Sequence, residues 1–183
     1  MDKLSPQQRH ANMAAIHSKG TKPEMVVRQW LWSRGFRYRL NSPRLPGHPD
    51  LVLRKYRTCI FVNGCFWHGH KLRNAQSEEL RVKSEEFTFD YESSECCKIP
   101  HTNREFWVNK IRRNQERDEE ERMRLKEMGW HCITIWECEL KPKVRQETLT
   151  ALEYTLNHIF LNDRACRYRI EEETLPMAAE EYL

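Results

Sequence analysis

The sequence has no apolar run that approaches the roughly 20 residues of a membrane-spanning helix. Its first six residues, Met-Asp-Lys-Leu-Ser-Pro, contain no apolar stretch that could serve as a secretory signal. Internal repeats are lacking as well. We therefore expect a cytoplasmic protein, and the membrane and secreted classes are excluded.

Disulfide bonds are not expected either, because the chain carries seven cysteines, an odd number, without a secretory signal. Reduced thiols are then left for packing, metal binding or catalysis. The 183 residues suit one domain with appendages, and a mean hydropathy of −0.86 is low for a globular chain. Six Trp, seven Phe and six Tyr nevertheless supply large groups for a core.

Positive charge is concentrated at one end of the chain, although the net charge is only +4. Residues 1–57 carry 12 Lys and Arg against 3 Asp and Glu, whereas residues 58–183 carry 19 against 24. A basic segment of this kind attracts a polyanion, with nucleic acid as the first candidate. A solvated basic surface has the same composition, so charge alone leaves both interpretations open.

The apolar pattern predicts a three-layer α/β domain in which a mixed sheet lies between helices. Thr21 can cap a helix that ends near Gly35. Apolar runs at Asp50–Leu53 and Thr58–Val62 form a candidate hairpin. The remaining elements are a long charged helix at Arg104–Met128, a buried-type strand at His131–Trp136 and an amphipathic helix at Leu149–Leu161.

Two segments fall outside this main pattern. Ala75–Glu95 holds seven acids and two bases with few apolar residues, so we interpret residues 71–97 as an acidic insertion. Residues 143–183 hold the last helix and an acidic tail. Residues 1–142, including the insertion, are then expected to form the principal domain.

Pro49-Asp50 stands at the head of the predicted hairpin. A carboxylate at a strand start that projects into an open cleft can hold Mg²⁺ together with waters and phosphate oxygens. In many nucleases an acid-x-Lys sequence follows on the next strand, but here that strand ends Ile-Phe-Val-Asn-Gly, without Glu or Lys. By itself, Pro-Asp is also a common turn dipeptide.

A second candidate site lies in the loop Gly64–His70, whose sequence is Gly-Cys-Phe-Trp-His-Gly-His. Cys65 and His70 have a spacing compatible with two ligands of one Zn²⁺, which would need two more ligands from elsewhere. Ordinary buried thiols are the alternative. The thiols available to complete such a site are those of Cys96, Cys97 and Cys138.

The same loop carries Phe66 and Trp67, although large rings are unusual in a polar loop. On a rigid loop they could wedge between base pairs and unstack them, or they could form a local core over the metal. His68 follows, and a neutral imidazole beside a metal-bound water can act as a general base. A loop histidine can equally be solvated.

The long helix has one face whose ends are apolar and whose middle carries Asn114 and Asp118. A polar break in a core-facing stripe needs partners, and metal-bound waters in an active site would be suitable ones. The alternative is a helix whose middle protrudes into solvent.

Taken together, these residues resemble the very short patch repair (Vsr) DNA mismatch endonucleases. The resemblance covers about residues 10–142. It implies a restriction-endonuclease-like fold, a structural zinc site and Mg²⁺-dependent nicking of one strand beside a T·G mismatch that arises from 5-methylcytosine deamination. The implied partners are mismatched duplex DNA and, functionally, a cytosine-5 DNA methyltransferase, and we expect a monomer. The matching segments are Asn12-Met13, Leu45–Asp50, Gly64–His70, Thr102–Trp107 and Trp136–Cys138.

The resemblance also implies roles for individual residues. The Mg²⁺-binding aspartate, the catalytic histidine and a glutamate near the metal waters correspond to Asp50, His68 and Glu24. Polar groups around that site correspond to Asn63, Asn114 and Asp118. Residues that contact DNA correspond to the intercalating Phe66, Trp67 and Trp107, the minor-groove wedge Met13 and the mispair-contacting Lys110.

Two positions depart from the family pattern. Val62 stands where the family often has a metal-binding Thr, so Val62 is expected to bind Mg²⁺ through its backbone carbonyl. Leu72 occupies the place of the family's usual third zinc ligand, a cysteine, and a thiol from the insertion could substitute. Cys97 is preferred over Cys96 because the family pattern resumes directly after it. The expected zinc ligands are Cys65, His70, Cys97 and Cys138.

Three functions are therefore compared. The favoured interpretation is a mismatch-directed nicking endonuclease. A restriction or homing endonuclease of the same fold would cut intact duplex, and a non-catalytic zinc-stabilised module would only bind DNA. The joint presence of Asp50, His68, Glu24 and the polar helix face favours an enzyme.

Overall fold

The computed structural model describes residues 19–74 and 91–173, together with residues 5, 7, 8, 11 and 15. Met13, which is expected to contact DNA, lies outside the described residues, as do residues 75–90 of the acidic insertion and residues 174–183. Within the described ranges, none of the helices combines the length and the apolar character needed to cross a membrane.

The first helix, α1 (Lys22–Ser33), begins as its capping sequence predicts. The Thr21 hydroxyl accepts a hydrogen bond from the Glu24 backbone N–H at 3.4 Å, and a proline occupies the first turn. The buried face of the helix carries Glu24, Val27 and Leu31. A carboxylate thus lies on the face that α1 turns toward the core.

Four strands form the central sheet, in the spatial order β1-β2-β3-β6. The pairs β1–β2 and β2–β3 are antiparallel, and β3–β6 is parallel, so the sheet is mixed as predicted. The predicted hairpin is β2–β3, and β4 and β5 form a separate antiparallel pair. The strands are β1 (Arg39–Leu40), β2 (Leu51–Leu53), β3 (Thr58–Asn63), β4 (Arg73–Asn74), β5 (Tyr91–Glu92) and β6 (His131–Trp136).

Helices cover both faces of this sheet. On one face Leu51, Leu53 and Ile60 pack against α1 and against α3 (Arg145–Glu173). On the other face Val52 and Cys59 pack against Leu125 of α2 (Arg104–Glu127). Burying each large aliphatic side chain contributes about 1.5–3 kcal/mol. The predicted three-layer α/β arrangement is therefore present.

Helix α3 is longer than its apolar stripe predicts. The stripe indicated Leu149–Leu161, whereas the helix extends over Arg145–Glu173. Among the residues of this helix whose side chains are described, Leu149, Leu152 and Leu156 are buried and pack on the core. Because apolar periodicity marks only the part of a helix that packs, it could not indicate the turns beyond that contact.

The parallel pairing of β3 with β6 positions the loops that follow these strands. Asn63 lies opposite Trp136 in the register, so both strands end at the same edge of the sheet. Cys65 and Cys138 each come two residues after that pair. The register therefore brings the two thiols to equivalent places beyond the sheet, although 73 positions in the sequence separate them.

Candidate active site and metal cluster

A cavity of about 410 Å³ lies where the start of β2, the end of β3 and the middle of α2 meet. It gathers residues that the sequence places in three separate regions. The predicted site residues that line it are Asp50, Val62, Asn63, His68 and Asp118.

Asp50 lies in this cavity with one oxygen engaged by the neighbouring strand. Its Oδ2 accepts a hydrogen bond from the Val62 backbone N–H at 2.7 Å. Burial raises the pKa of Asp50 to about 6; the Val62 hydrogen bond opposes this rise, and the nearby Glu24 carboxylate adds to it. A buried carboxylate beside another carboxylate is stabilised in its charged form by a cation.

Glu24 presents a second buried carboxylate, only 2% exposed. Its Oε2 accepts a hydrogen bond from the Gly20 N–H at 2.6 Å. Its Oε1 lies 3.6 Å from an Arg28 guanidinium nitrogen but has no hydrogen-bond partner among the described residues. A buried acceptor of this kind suits a bound water or a cation. Together with Asp50 it offers the hard oxygen donors that divalent cations such as Mg²⁺ prefer.

His68 is held by a carboxylate from α2. Its Nδ1 lies 2.5 Å from Asp118 Oδ2. An ionised carboxylate only accepts hydrogen bonds, so Nδ1 carries the proton and Nε2 is left free to take one. The pair has the arrangement of a general base with an orienting acid.

The polar part of the long helix also holds the loop backbone. Asn114 Nδ2 donates to the Trp67 carbonyl at 2.8 Å, and Gln115 Nε2 donates to the Gly69 carbonyl at 3.2 Å. The polar break in the stripe therefore has protein partners, and the middle of α2 does not simply protrude into solvent. Asn114 therefore holds the loop backbone at Trp67, whereas Asp118 holds the side chain of His68.

A cluster of three thiols and one imidazole lies on the other side of the same loop. All four ligand atoms lie within 4.8 Å of one another. The sulfurs lie 3.7 Å (Cys65), 3.4 Å (Cys96) and 3.3 Å (Cys138) from His70 Nδ1. Sulfur and nitrogen ligands of one tetrahedral Zn²⁺ lie about 3.5 Å apart. The cluster thus has the dimensions of a site for a single metal ion.

The structure corrects the preference for Cys97 as the fourth ligand. Cys97 is fully buried, and its Sγ lies 3.8 Å from the Phe66 carbonyl oxygen, outside the cluster. The reason is a turn held by Ser94, whose Oγ accepts from the Cys97 N–H at 3.1 Å and donates to the His70 carbonyl at 2.9 Å. That turn directs Cys96 toward His70 Nδ1.

His70 is fixed by its surroundings as a metal ligand would be. Its ring stacks on Trp136, with ring centroids 4.1 Å apart and planes inclined by 8°. Burial lowers the pKa of His70, which favours the neutral imidazole that a metal requires. The aromatic residue at the end of β6 thus orients a ligand from the loop after β3.

Aromatic rings cluster beside His68, at the start of α2. Phe66 lies 5.2 Å from Trp67 and 5.1 Å from Trp107, measured between ring centroids. Lys110 Nζ lies 5.4 Å from the centroid of Trp67. Phe106, which is not among the predicted site residues, is 57% exposed, and its ring centroid lies 5.2 Å from that of Trp107. Its position off the apolar stripe of α2 is the sequence signal that marks it.

Comparison with known proteins identifies the family. A family profile described as "DNA mismatch endonuclease Vsr" matches residues 1–74. The DNA mismatch endonuclease Vsr of Escherichia coli K12 is 36% identical over 144 residues, which are 78% of each chain. The Type II nicking enzyme V.NmeAIP of Neisseria meningitidis is 42% identical over 131 residues, 72% of this chain and 78% of the relative. The Type II nicking enzyme V.XorIIP of Xanthomonas oryzae is 36% identical over 158 residues, 86% of this chain and 96% of the relative. The chain therefore belongs to the Vsr family of DNA endonucleases.

Proposed function

We propose that this endonuclease nicks one strand of duplex DNA beside a T·G mismatch, in a Mg²⁺-dependent hydrolysis within a restriction-endonuclease-like fold. The observation that carries the proposal is a loop that presents His68 to the Asp50 cavity and Phe66 and Trp67 to the adjacent aromatic cluster. One loop thus joins a hydrolytic site to rings that can enter a base step. The relative from E. coli is itself named a DNA mismatch endonuclease.

His68 acts as the general base in this proposal. Its Nε2 takes a proton from the water that attacks phosphorus, and Asp118 holds the ring and stabilises the imidazolium that results. As the new P–O bond forms, the bond from phosphorus to one sugar oxygen breaks, and that oxygen leaves as a hydroxyl after it takes a proton from solvent. General-base catalysis of this kind contributes about 10²–10⁴ to the rate. The 2.5 Å contact with Asp118 supports the assignment because it fixes the ring orientation before substrate binds.

Asp50 and the Val62 backbone carbonyl would hold the catalytic Mg²⁺, with Glu24 bound to waters around it. Mg²⁺, when bound, supplies electrostatic stabilisation of the charge that develops on the phosphate oxygens. The raised pKa of Asp50 and the buried Glu24 Oε1, which accepts no hydrogen bond from the described residues, support these roles.

Mismatch recognition is assigned to Phe66, Trp67 and Trp107, with Lys110 in contact with the mispair. A T·G pair opens at a lower free-energy cost than a matched pair, so inserted rings favour the mismatch. The three rings contact one another, which keeps them in place as a wedge. Met13 would contribute from the minor groove.

The thiol cluster is proposed to bind one structural Zn²⁺. Four protein ligands leave no open position for substrate, which is the arrangement of structural zinc sites. The ion would fix the loop from one side while α2 holds it from the other. The proposed ligands are Cys65, His70, Cys96 and Cys138, with Cys96 in place of the predicted Cys97.

Two partners follow from this function. Because T·G mispairs arise from deaminated 5-methylcytosine, a cytosine-5 DNA methyltransferase would generate the need for the repair. We further propose that the protein acts as a monomer, because Asp50, His68 and Asp118 of a single chain already line one cavity.

Labelled duplexes that differ in one base pair test the proposed function. With Mg²⁺ we expect a nick in one strand of the T·G duplex and none in the T·A and C·G duplexes. Asp50→Ala should abolish nicking and retain DNA binding. Equal cutting of the matched duplexes would favour a restriction or homing enzyme, and binding without any cutting would favour the non-catalytic module.

A further inference from the structure

The end of β3 lacks the lysine that many nucleases carry there, since the strand ends Phe-Val-Asn. The cavity nevertheless contains a lysine from another part of the chain. Lys19, three residues before α1, lines the same cavity as Asp50 and His68. We propose that Lys19 binds the scissile phosphate and stabilises the negative charge that develops on it during cleavage. This inference rests on the proposed nicking activity and names a further residue for it.

Local structure connects the backbone at Lys19 to the acidic site. Gly20 adopts a left-handed conformation with φ of +66°, which side chains rarely adopt, and its N–H donates to Glu24 Oε2 at 2.6 Å. The Thr21 cap follows immediately. The turn before α1 is thus anchored to the buried carboxylate that lies near Asp50. The Lys19 backbone is held while its side chain stays exposed.

Lys19 differs from the other cations that line the cavity. Arg117 lies 3.9 Å from a carboxylate oxygen of Glu121 and 4.0 Å from one of Asp118, and Arg122 is paired with Glu119. No carboxylate within residues 19–74 or 91–173 pairs with Lys19. Among the described lysines and arginines that line the cavity, Lys19 is therefore the one available for an anionic ligand.

The charge of the cavity explains why such a cation is needed. Asp50, Asp118 and Glu121 line it, and all three repel a phosphate when ionised. Phosphodiester cleavage adds charge to the phosphate oxygens in the transition state. A lysine ammonium is a compact donor that can approach a non-bridging oxygen, and its attraction strengthens as that charge develops.

The first experiment measures the single-turnover rate at which a T·G duplex is nicked in the presence of Mg²⁺. Lys19→Ala is expected to lower the rate by about 10²–10³, the effect of removing one transition-state donor. Lys19→Arg should recover much of this loss because it keeps the charge. Lys22→Ala is the matched control, since this exposed lysine in the first turn of α1 does not line the cavity. Melting temperatures should be unchanged in all three variants.

Binding in EDTA separates phosphate contact from a structural role. Two T·G duplexes are compared, one with a normal phosphate and one with an uncharged methylphosphonate at the linkage that the protein cuts. Lys19→Ala should weaken binding to the normal duplex about tenfold and leave binding to the methylphosphonate duplex unchanged. Lys22→Ala should change both affinities equally.

Two outcomes would overturn the role of Lys19. One is an equal loss of affinity for both duplexes in Lys19→Ala, and the other is a wild-type nicking rate in Lys19→Ala while Asp50→Ala is inactive. Wild-type nicking in Asp50→Ala would instead remove the proposed active site itself. The nicking rate of Asp50→Ala therefore distinguishes a wrong role for Lys19 from a wrong active site.

Discussion

The loop Gly64–His70 serves two sites that differ in construction. On one side His68 faces an open polar cavity and bonds to Asp118. On the other side His70 is 8% exposed, stacks on Trp136 and faces three thiols. Two histidines two positions apart thus have different surroundings, and the partner of each ring nitrogen decides what that imidazole can do.

The two sites also differ in how their polar groups are satisfied. The cavity contains a carboxylate with a raised pKa, Asp50, and the nearby Glu24 has a buried oxygen, 3.6 Å from Arg28, that accepts no hydrogen bond from the described residues. In the cluster every ligand atom has another ligand atom nearby. Groups that are costly to the fold mark a catalytic site, whereas a closed ligand set marks a site that stabilises the fold. Mutations on each side should therefore separate activity from stability.

The largest expected effect is on catalysis in the cavity. His68→Ala should slow the single-turnover nicking of a T·G duplex by about 10²–10⁴ because the general base is lost. Asp118→Asn should slow it by about 10–10², since the amide oxygen can still accept from the imidazole but lacks the negative charge that stabilises the imidazolium. Mismatch binding, followed by fluorescence anisotropy, should change little in either variant. A near-normal rate in His68→Ala would remove that residue from the mechanism.

The next effect is on the metal cluster, where two adjacent cysteines provide a matched pair. Cys96→Ser should lower the zinc content and reduce the melting temperature by on the order of 10 °C, because zinc binding is coupled to folding. Cys97→Ser should retain zinc and lose less stability, since its thiol lies outside the cluster. Zinc analysis and thermal unfolding provide the measurements. Zinc loss in Cys97→Ser but not in Cys96→Ser would overturn the assignment.

These two sites also show how far the sequence could be used for prediction. The Thr21 cap, the hairpin after Asp50 and the pairing of Cys65 with His70 depend on residues close together in the chain, so local patterns indicate them. The choice of Cys96 over Cys97 depends on a Ser94 hydrogen bond to the His70 carbonyl, 24 residues away. The spacing of cysteines in the sequence could not indicate that hydrogen bond.

Contacts across the fold limited prediction in the cavity as well. The polar break in α2 indicated that Asp118 needs a partner, but its contact with His68 spans 50 residues and depends on how α2 packs against the loop. Lys19 gave no signal at all, because an exposed lysine before a helix is common in any basic segment. Its place in the cavity follows from the three-dimensional arrangement alone.

A smaller effect is expected where the aromatic rings meet DNA. Trp67→Ala should weaken binding to a T·G duplex by about 1–3 kcal/mol, the value of one base-stacking ring, and hardly change binding to the T·A duplex. Trp32→Ala is a matched control, since this ring is 56% exposed on α1 and does not line the cavity. Equal losses on both duplexes for Trp67→Ala would mean that the ring packs the loop and does not detect the mismatch.

The smallest effect concerns the free energy of unfolding and its dependence on the ionisation of Asp50 in the cavity. Burial raises the pKa of Asp50 from 3.8 to about 6, so the folded protein binds this proton more tightly than the unfolded chain does. The stability from this group is complete below pH 3.8 and is lost as the pH rises through about 6.

Asp50→Asn removes that loss and keeps an oxygen for the Val62 N–H. In EDTA at pH 8 the variant should therefore be more stable by on the order of 1–2 kcal/mol, allowing for water in the cavity. Urea unfolding at pH 4 should show most of the advantage lost, because the wild-type carboxyl is then largely protonated in the folded state. An advantage of equal size at both pH values would exclude ionisation of Asp50 as its cause, and Mg²⁺ at pH 8 should narrow the difference by stabilising the wild-type protein alone.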